Sequence, residues 1–284
     1  MSTAFGIDPR QQLSEPDELT LVRRGAELGY QSAWTPSGPD SAAFDRCIRW
    51  HQASGLPVAI SVVPASGRPP EFYAGEARRV WEATGGQFIL GVGSGQLEKA
   101  AEAMPPYLAE LRRLLAGGPP IYVAALGPLM LRLAGEVGDG VSLNWCSPER
   151  VGWSRDRVET SATAAGRQAP PISEYIRTSV DPDPEAAARA LWQAATGYAL
   201  GPVAYRRHFD RMGFGGELKA IEETGRGPSR ELLAACGAHG RPGEVRSQFE
   251  RLAGGLDLAI ARVLVTEPGS LTSALRVLEE CAPG

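Results

Sequence analysis

Strand-like runs recur along the 284 residues, and each leads into a stretch patterned for a helix, never into a two-residue turn. The runs are FGID (5–8), SAWTP (32–36), PVAISVV (57–63), FILGVG (88–93), IYVAAL (121–126), GVSLNW (140–145), ISEYIRTSV (172–180) and IARVLVT (260–266). Hairpins join strands through a few residues, and these connections are too long for that. They suit crossovers, so the sheet is expected to be parallel. Eight βα units favour an α/β fold closed into a TIM (β/α)8 barrel, with an open doubly wound sheet as the alternative. Helix punctuation agrees. Ser14 offers an N-cap before EPDELTLVRRGAEL, and Gly29 offers the residue that ends it. Other helices are expected from near Asp40, Glu71, Pro128, Pro148, Pro184 and Gly269.

One interval breaks the rhythm. Residues 181–259 lie between the seventh and eighth runs and read as helices at 184–196, 202–212, 214–224, 229–236 and 242–253. Gly and Pro punctuate them at GFGG, GRGPS and GRPGE. The simplest organisation is one domain over 1–284, with a helical insertion between strands seven and eight at the barrel mouth.

The remaining composition narrows the function classes. Hydrophobic residues make up 43%, enough for a large core without disulfides or metals. The net charge is -4, with no block of like charge, whereas nucleic-acid binding needs a clustered basic footprint. No apolar run is long enough for a bilayer, and strand-like residues from Phe5 leave no room for a signal peptide. A cytoplasmic protein without nucleic-acid or membrane partners is therefore expected. Cys47, Cys146, Cys236 and Cys281 form no C-x-x-C pair and read as reduced thiols. His51 falls late in a helix, His208 and His239 lie in a long helical stretch, and none has a partner at i+3 or i+4 for a metal. No G-x-S-x-G elbow supports a serine hydrolase.

The stretch YVAALGPLMLRLAGEVGDG (122–140) carries the first chemical clue. Pro128 suits the first helical position, where its missing N–H is no loss. Gly127 takes the N-cap place without supplying a side-chain acceptor, so the amides of Leu129 and Met130 stay open. Met130, Leu133, Ala134 and Val137 are spaced to fix that helix on the barrel, and Gly138 ends it. Free amides at a helix N-terminus form an anion site. The bland alternative is a plain βα turn with water on those amides. GVGSG (91–95), ending the preceding strand, adds a second loop in which backbone can approach a ligand. It is not the dinucleotide fingerprint, because Gln96 stands where that motif is broken.

FILGVGSG, the block AALGP…AGEVGDG with SPE beyond it, GRPPEF after the third strand and GRPGEVRSQFERLAGGLDLAIARVLVTEPG resemble the bacterial luciferase-like flavin and deazaflavin oxidoreductases. The resemblance runs in order over nearly the whole chain. It implies a TIM barrel with a helical insertion before the last strand, and a homodimer. In the branch most resembled, the cofactor is the 8-hydroxy-5-deazaflavin F420, with FMN as the alternative. It implies a phosphate-binding turn at Ala125, Leu126, Gly127, Pro128 and Leu129, and a glycine loop at Gly93, Ser94 and Gly95 beside the ribityl chain or phosphate. A non-proline cis peptide against the ring maps to Ser61–Val62. Arg68, Lys99 and Arg132 are the basic residues nearest the turn in sequence.

Polar residues at strand ends mark a wet barrel mouth. Asp8 ends the first run, Asn144 alternates with Leu143 and Trp145, and Arg177 and Ser179 alternate with Ile176 and Val180. Asn144 is a candidate for the pyrimidine edge of the ring and Trp145 for stacking near substrate; Arg177 lines the lumen or pairs with Glu174 or another acid. The chain departs from many relatives after the second strand, where AWTPSGPD replaces a Glu-His pair. The proton donor then falls to Asp8, Ser37, Asp40, a water or the substrate. The segment 96–120 is also short. Two readings follow: an oxidoreductase moving a hydride between F420 and a small organic substrate, or a barrel that binds cofactor without turnover.

Overall fold

The computed structural model describes residues 2–284. Strands β1 (Ser2–Gly6), β2 (Ala33–Thr35), β3 (Val58–Pro64), β4 (Phe88–Gly93), β5 (Ile121–Ala124), β6 (Gly140–Asn144) and β7 (Ile172–Val180) lie in one sheet with β8 (Gly237–Gly240) and β9 (Leu258–Val263). The order is β6-β5-β4-β3-β2-β1-β9-β7, and β6 pairs with β7 to close the barrel. Every pairing is parallel. The expected closed barrel is what forms. Around it run α1 (Glu15–Glu27), α2 (Ala42–Ser54), α3 (Pro70–Ala83), α4 (Ala100–Leu114), α5 (Pro128–Val137), α6 (Pro148–Ala164) and α12 (Leu271–Glu280). Ser14 caps α1 by accepting from the Asp17 amide at 3.3 Å, and Gly29 follows its end at φ +84°. Among the described residues no helix is long and apolar enough to cross a membrane.

Between β7 and β9 come α7 (Pro184–Ala199), α8 (Val203–Arg211), α9 (Gly215–Thr224), α10 (Arg230–Cys236) and α11 (Arg246–Ala253). The short β8 among them was not expected. Its GAHG composition has no β-branched residue, and it pairs only with the far end of β7, from Arg177 to Val180. His239 therefore sits on a strand, not in a helix. Strand β1 also begins earlier than Phe5, at Ser2, so Asp8 lies just beyond its end.

Apolar residues fall into three bodies. The largest fills the space between barrel and helices, and a smaller one fills the lumen with Ala4, Trp34, Ala59, Tyr175 and Ile260. The third lies in the insertion and includes Trp145 and Leu264 from the barrel mouth, which anchor α7 and α8 over that end.

Small residues make room where the lumen is crowded. Strand β3 shifts register between Ile60 and Val63, around a cis peptide at Ser61–Val62. A Cβ on Gly91 would stand 2.5 Å from the Ile60 carbonyl oxygen and 2.9 Å from Val62 Cγ1. Gly91→Val is accordingly expected to cost about 3 kcal/mol through forced overpacking against backbone. Thermal denaturation should show a fall of roughly 6–10 °C; an unchanged melting temperature would show that the strand edge yields freely.

Candidate active site

A cavity of about 480 Å3 opens at the C-terminal end of β1, β6, β7 and β9, beneath α7. Active sites of barrels occupy this face. Its polar lining includes Asp8, Arg10, Arg177, Tyr198 and Arg262. Strand alternation accounts for the placement: Tyr175 and Arg177 share the lumen face of β7, and Ile260 and Arg262 that of β9. Arg177 and Arg262 are 3% and 4% exposed.

Asp8 forms an ion pair with Arg262 and accepts from the Arg10 amide at 3.0 Å. Burial alone would raise its carboxyl, but Arg262 and the Arg10 amide outweigh that and hold it below the usual value. Asp8 is thus kept ionised. Asp8, one of several proton donors weighed from the sequence, is held here as the ion-pair partner of Arg262. Ser37 and Asp40 do not line the cavity: Ser37 Oγ donates to the Gly38 carbonyl at 2.7 Å, and Asp40 accepts from the Ala42 amide at 3.1 Å.

Arg177 does not pair with Glu174, which lies on the opposite face of β7. Its Nη1 donates to Asn144 Oδ1 and, at 3.1 Å, to the Tyr175 carbonyl. Its guanidinium lies 3.9 Å from the centre of the Trp145 ring. Asn144 Nδ2 donates to Tyr205 Oη at 2.6 Å, so both ends of that amide have protein partners. Asn144 orients Arg177 and Tyr205 here. Trp145 lines the cavity and presents its ring to Arg177 and, tilted, to Tyr198 and Phe209.

Tyr198 comes from α7, and its hydroxyl has no hydrogen-bond partner among the described residues. Burial raises the phenol, yet Arg177, Arg262 and Arg10 together bring it below the ordinary value of 10. Nothing local in the sequence marks this tyrosine. It lies in the insertion, and only the folded chain carries it to three arginines.

A histidine of the insertion reaches the tip of β6. His208 of α8 is fully buried, and its Nε2 is 2.8 Å from the Trp145 carbonyl, where it donates in the neutral form. Burial, with Arg150 and Arg211 nearby, pushes it down to about 4. Cys146 Sγ lies 3.8 Å from the same nitrogen, but burial pushes the thiol well up, so the pair is no activated thiolate. In the unfolded chain the imidazole takes its proton below about 6.5, whereas the folded chain refuses it until about 4. Stability contributed here is present above that window and is lost as pH falls through it. His208→Gln should remove this acid-side slope in denaturant titrations at several pH values; an identical slope in the variant would contradict the assignment.

The turn before α5 has the geometry of an anion site. Gly127 is the N-cap at φ −113° and ψ 167°, with no side-chain cap. The Leu131 amide donates to the Gly127 carbonyl, while those of Leu129 and Met130 have no partner among the described residues. Leu129 is 55% exposed. Leu131, Leu133, Ala134 and Gly135 are the buried positions of α5, with Met130 and Val137 only half-buried. The cations at this turn are not those nearest in sequence. Arg68 donates to the Pro39 carbonyl, Lys99 pairs with Glu102 and Arg132 with Glu136. Instead Arg150 Nη2 donates to the Leu126 carbonyl at 2.9 Å, and Arg211 Nη1 stands 3.7 Å from where a Gly127 Cβ would be. Arg150 Nε is buried without a partner, and Arg150 and Arg157 sandwich the Trp153 ring at 3.5 and 3.6 Å. Among the described residues, none of Arg150, Arg157 and Arg211 has an acidic partner in an ion pair.

The glycine loop serves the protein's own packing. A Cβ on Gly93 would meet Val62 Cγ2 at 2.8 Å, and one on Gly95, at φ +60°, would collide with Ser66 Oγ. The Gln96 amide donates to Ser66 Oγ at 3.1 Å, and the Ser94 carbonyl accepts from the Leu97 amide at 3.2 Å. The space these glycines leave is filled by β3 and the loop after it. Among the described residues no three His, Cys, Asp or Glu side chains are grouped for a metal.

The model of the luciferase-like monooxygenase family matches residues 101–257, more than half of the chain. The chain belongs to the luciferase-like monooxygenase family. This luciferase-like barrel is 28% identical over 155 residues to a 5,10-methylenetetrahydromethanopterin reductase of Archaeoglobus fulgidus, covering 43% of this chain and 47% of that one. Over 77 residues it is 40% identical to an F420-dependent glucose-6-phosphate dehydrogenase of Mycolicibacterium fortuitum, covering 25% and 22%. The matched stretches thus span less than half the length of these relatives. In fold, the luciferase-like barrel is similar to the coenzyme F420-dependent tetrahydromethanopterin reductase of Methanopyrus kandleri, with a TM-score of 0.78, 19% identity and coverage of 98% and 97%.

Proposed function

We propose that this barrel is an oxidoreductase that moves a hydride between F420 and a small organic substrate. The observation that carries the reading is the uncapped start of α5, where two open amides meet Arg150 and Arg211 and no carboxylate answers them. Such a donor set fits a phosphate diester, because helix N-termini and guanidiniums both favour oxyanions. The unpartnered Arg150 Nε supplies a further donor of the same kind. The family membership and the names of the relatives point the same way.

When bound, the deazaflavin supplies the ring carbon that gives or takes the hydride. Ala125, Leu126, Gly127, Pro128 and Leu129 form the turn that holds its phosphate. Gly93, Ser94 and Gly95 shape the adjoining loop, and the half-buried Ser61 and Val62 offer a ring contact. The 480 Å3 cavity takes the substrate, and α7 excludes water from above it. Asp8 keeps Arg262 in place, while Asn144 and Trp145 do so for Arg177. Tyr198 Oη, free of other partners, holds or moves the proton that accompanies hydride transfer.

The test is turnover. Oxidised and reduced F420 and FMN are incubated with the protein and a panel of alcohols, enones and imines, and cofactor absorbance is followed. Oxidation or reduction of F420 by at least one substrate is expected. F420 that binds but never turns over would favour the non-catalytic barrel.

A further inference from the structure

We propose that the substrate carries an oxyanion group, a carboxylate or a phosphate monoester, gripped in the cavity between Arg177, Arg262 and Arg10. This rests on the cavity's being the substrate site of the oxidoreductase proposed above. The charged residues lining it are three guanidiniums and one carboxylate, a formal charge of +2. A buried cation is costly unless an opposite charge answers it. Arg262 has Asp8, but Arg177 is 3% exposed and has no acidic partner in an ion pair among the described residues. Its protein acceptors are neutral and engage only Nη1, which leaves Nε and Nη2 to the cavity it lines.

The aromatic surroundings hold the guanidiniums in place without neutralising them. Trp145 lies 3.9 Å from the Arg177 guanidinium, and Tyr175 lies 4.3 Å from that of Arg262. Burial and the nearby Arg262 lower Arg177 to about 10, as expected of like charges kept out of water together. An arriving oxyanion would relieve that repulsion and meet the planar donors that suit carboxylate and phosphate. Gln193 adds a neutral amide to the lining. A cavity of about 480 Å3 suits a small acid. The same arginines lower the Tyr198 phenol, so anchor and proton carrier lie side by side.

Isothermal titration of the cofactor-free protein tests this with succinate, inorganic phosphate and uncharged succinamide. Saturable binding of at least one anion, and none of succinamide, is expected. Succinate alone would identify a carboxylate substrate and phosphate alone a phosphate ester. Arg177→Met should weaken binding at least tenfold. Arg10→Gln, at an exposed position that leaves folding intact, should weaken it several-fold. Gly127→Val should leave succinate binding unchanged and remove only phosphate held at the turn before α5, which separates that turn from this cavity. Absence of binding by either anion would overturn the proposal. Succinate binding that survives both arginine changes, or any anion binding that disappears entirely in Gly127→Val, would overturn it equally. F420 binding measured in parallel separates the two readings: anion failure with F420 bound rejects the substrate class alone, and F420 failure with anion bound rejects the F420 oxidoreductase reading, leaving an oxyanion site that is not the substrate site of such an enzyme.

Discussion

Tyr198→Phe is expected to lower kcat by roughly 10²-fold or more, the usual scale for removing a positioned acid or base. The ring itself should stay where it is. It meets Tyr205 edge-on at 4.8 Å and Trp145 at 5.4 Å, and the lost hydroxyl makes no protein hydrogen bond. Stability should therefore change by no more than about 0.5 kcal/mol. The pH profile carries the sharper signature. Arg177, Arg262 and Arg10 face the phenol and lower it, while burial, Asp8 and Tyr205 oppose them or stand close by. In the direction that delivers a proton to substrate, the rate should fall as pH rises through a value below the ordinary 10. In the reverse direction the rate should rise over the same window, and the variant should lose both limbs. A variant with reduced kcat and an intact pH profile would assign Tyr198 a packing role only.

Gly127 yields the second large effect, and two substitutions read it in opposite senses. Its backbone angles lie in the extended region that β-branched residues adopt, and an added Cβ would meet only Arg211 Nη1, at 3.7 Å. The fold should accept Gly127→Val with a change of about 0.5 kcal/mol or less. A side chain at the N-cap hangs over the second and third amides, here those of Leu129 and Met130. Valine would cover them and offer no acceptor, so F420 affinity should fall by at least tenfold, about 1.4 kcal/mol. Gly127→Asp would place a carboxylate on the same amides, gaining about 1 kcal/mol of stability as a cap while excluding the phosphate. Stability and affinity thus move apart. Equal losses of both would mean that the glycine serves the backbone alone.

The barrel was legible because its signal is repeated: eight strand–helix alternations, with caps such as Ser14 and breaks such as Gly29, all point to one arrangement. The open turn at Gly127 was legible for a local reason, since an N-cap without an acceptor is visible in the sequence. What surrounds the turn was not. Arg150 and Arg211 reach it from 24 and 84 residues away in sequence or by packing of α8, whereas Arg68, Lys99 and Arg132 were suggested by proximity along the chain. Asp8 and Arg177 were placed correctly at the mouth, but their partners were not. Asp8 became an ionised partner of Arg262 because β1 and β9 are neighbours, whereas Glu174 points to the opposite face of β7 and Arg177 found a neutral amide on the adjacent β6. Tyr198 escaped notice, and His208 was set aside as a helical residue, because neither could be placed on the barrel. They lie on the insertion, whose helical pattern shows which residues face inward but not which part of the barrel they cover.

Fluorescence titration with F420 and with FMN tests the central claim most directly. The account expects F420 to bind saturably at one per chain, with affinity lost in Gly127→Val and retained in Tyr198→Phe. Binding of neither cofactor by the folded wild-type protein would contradict it.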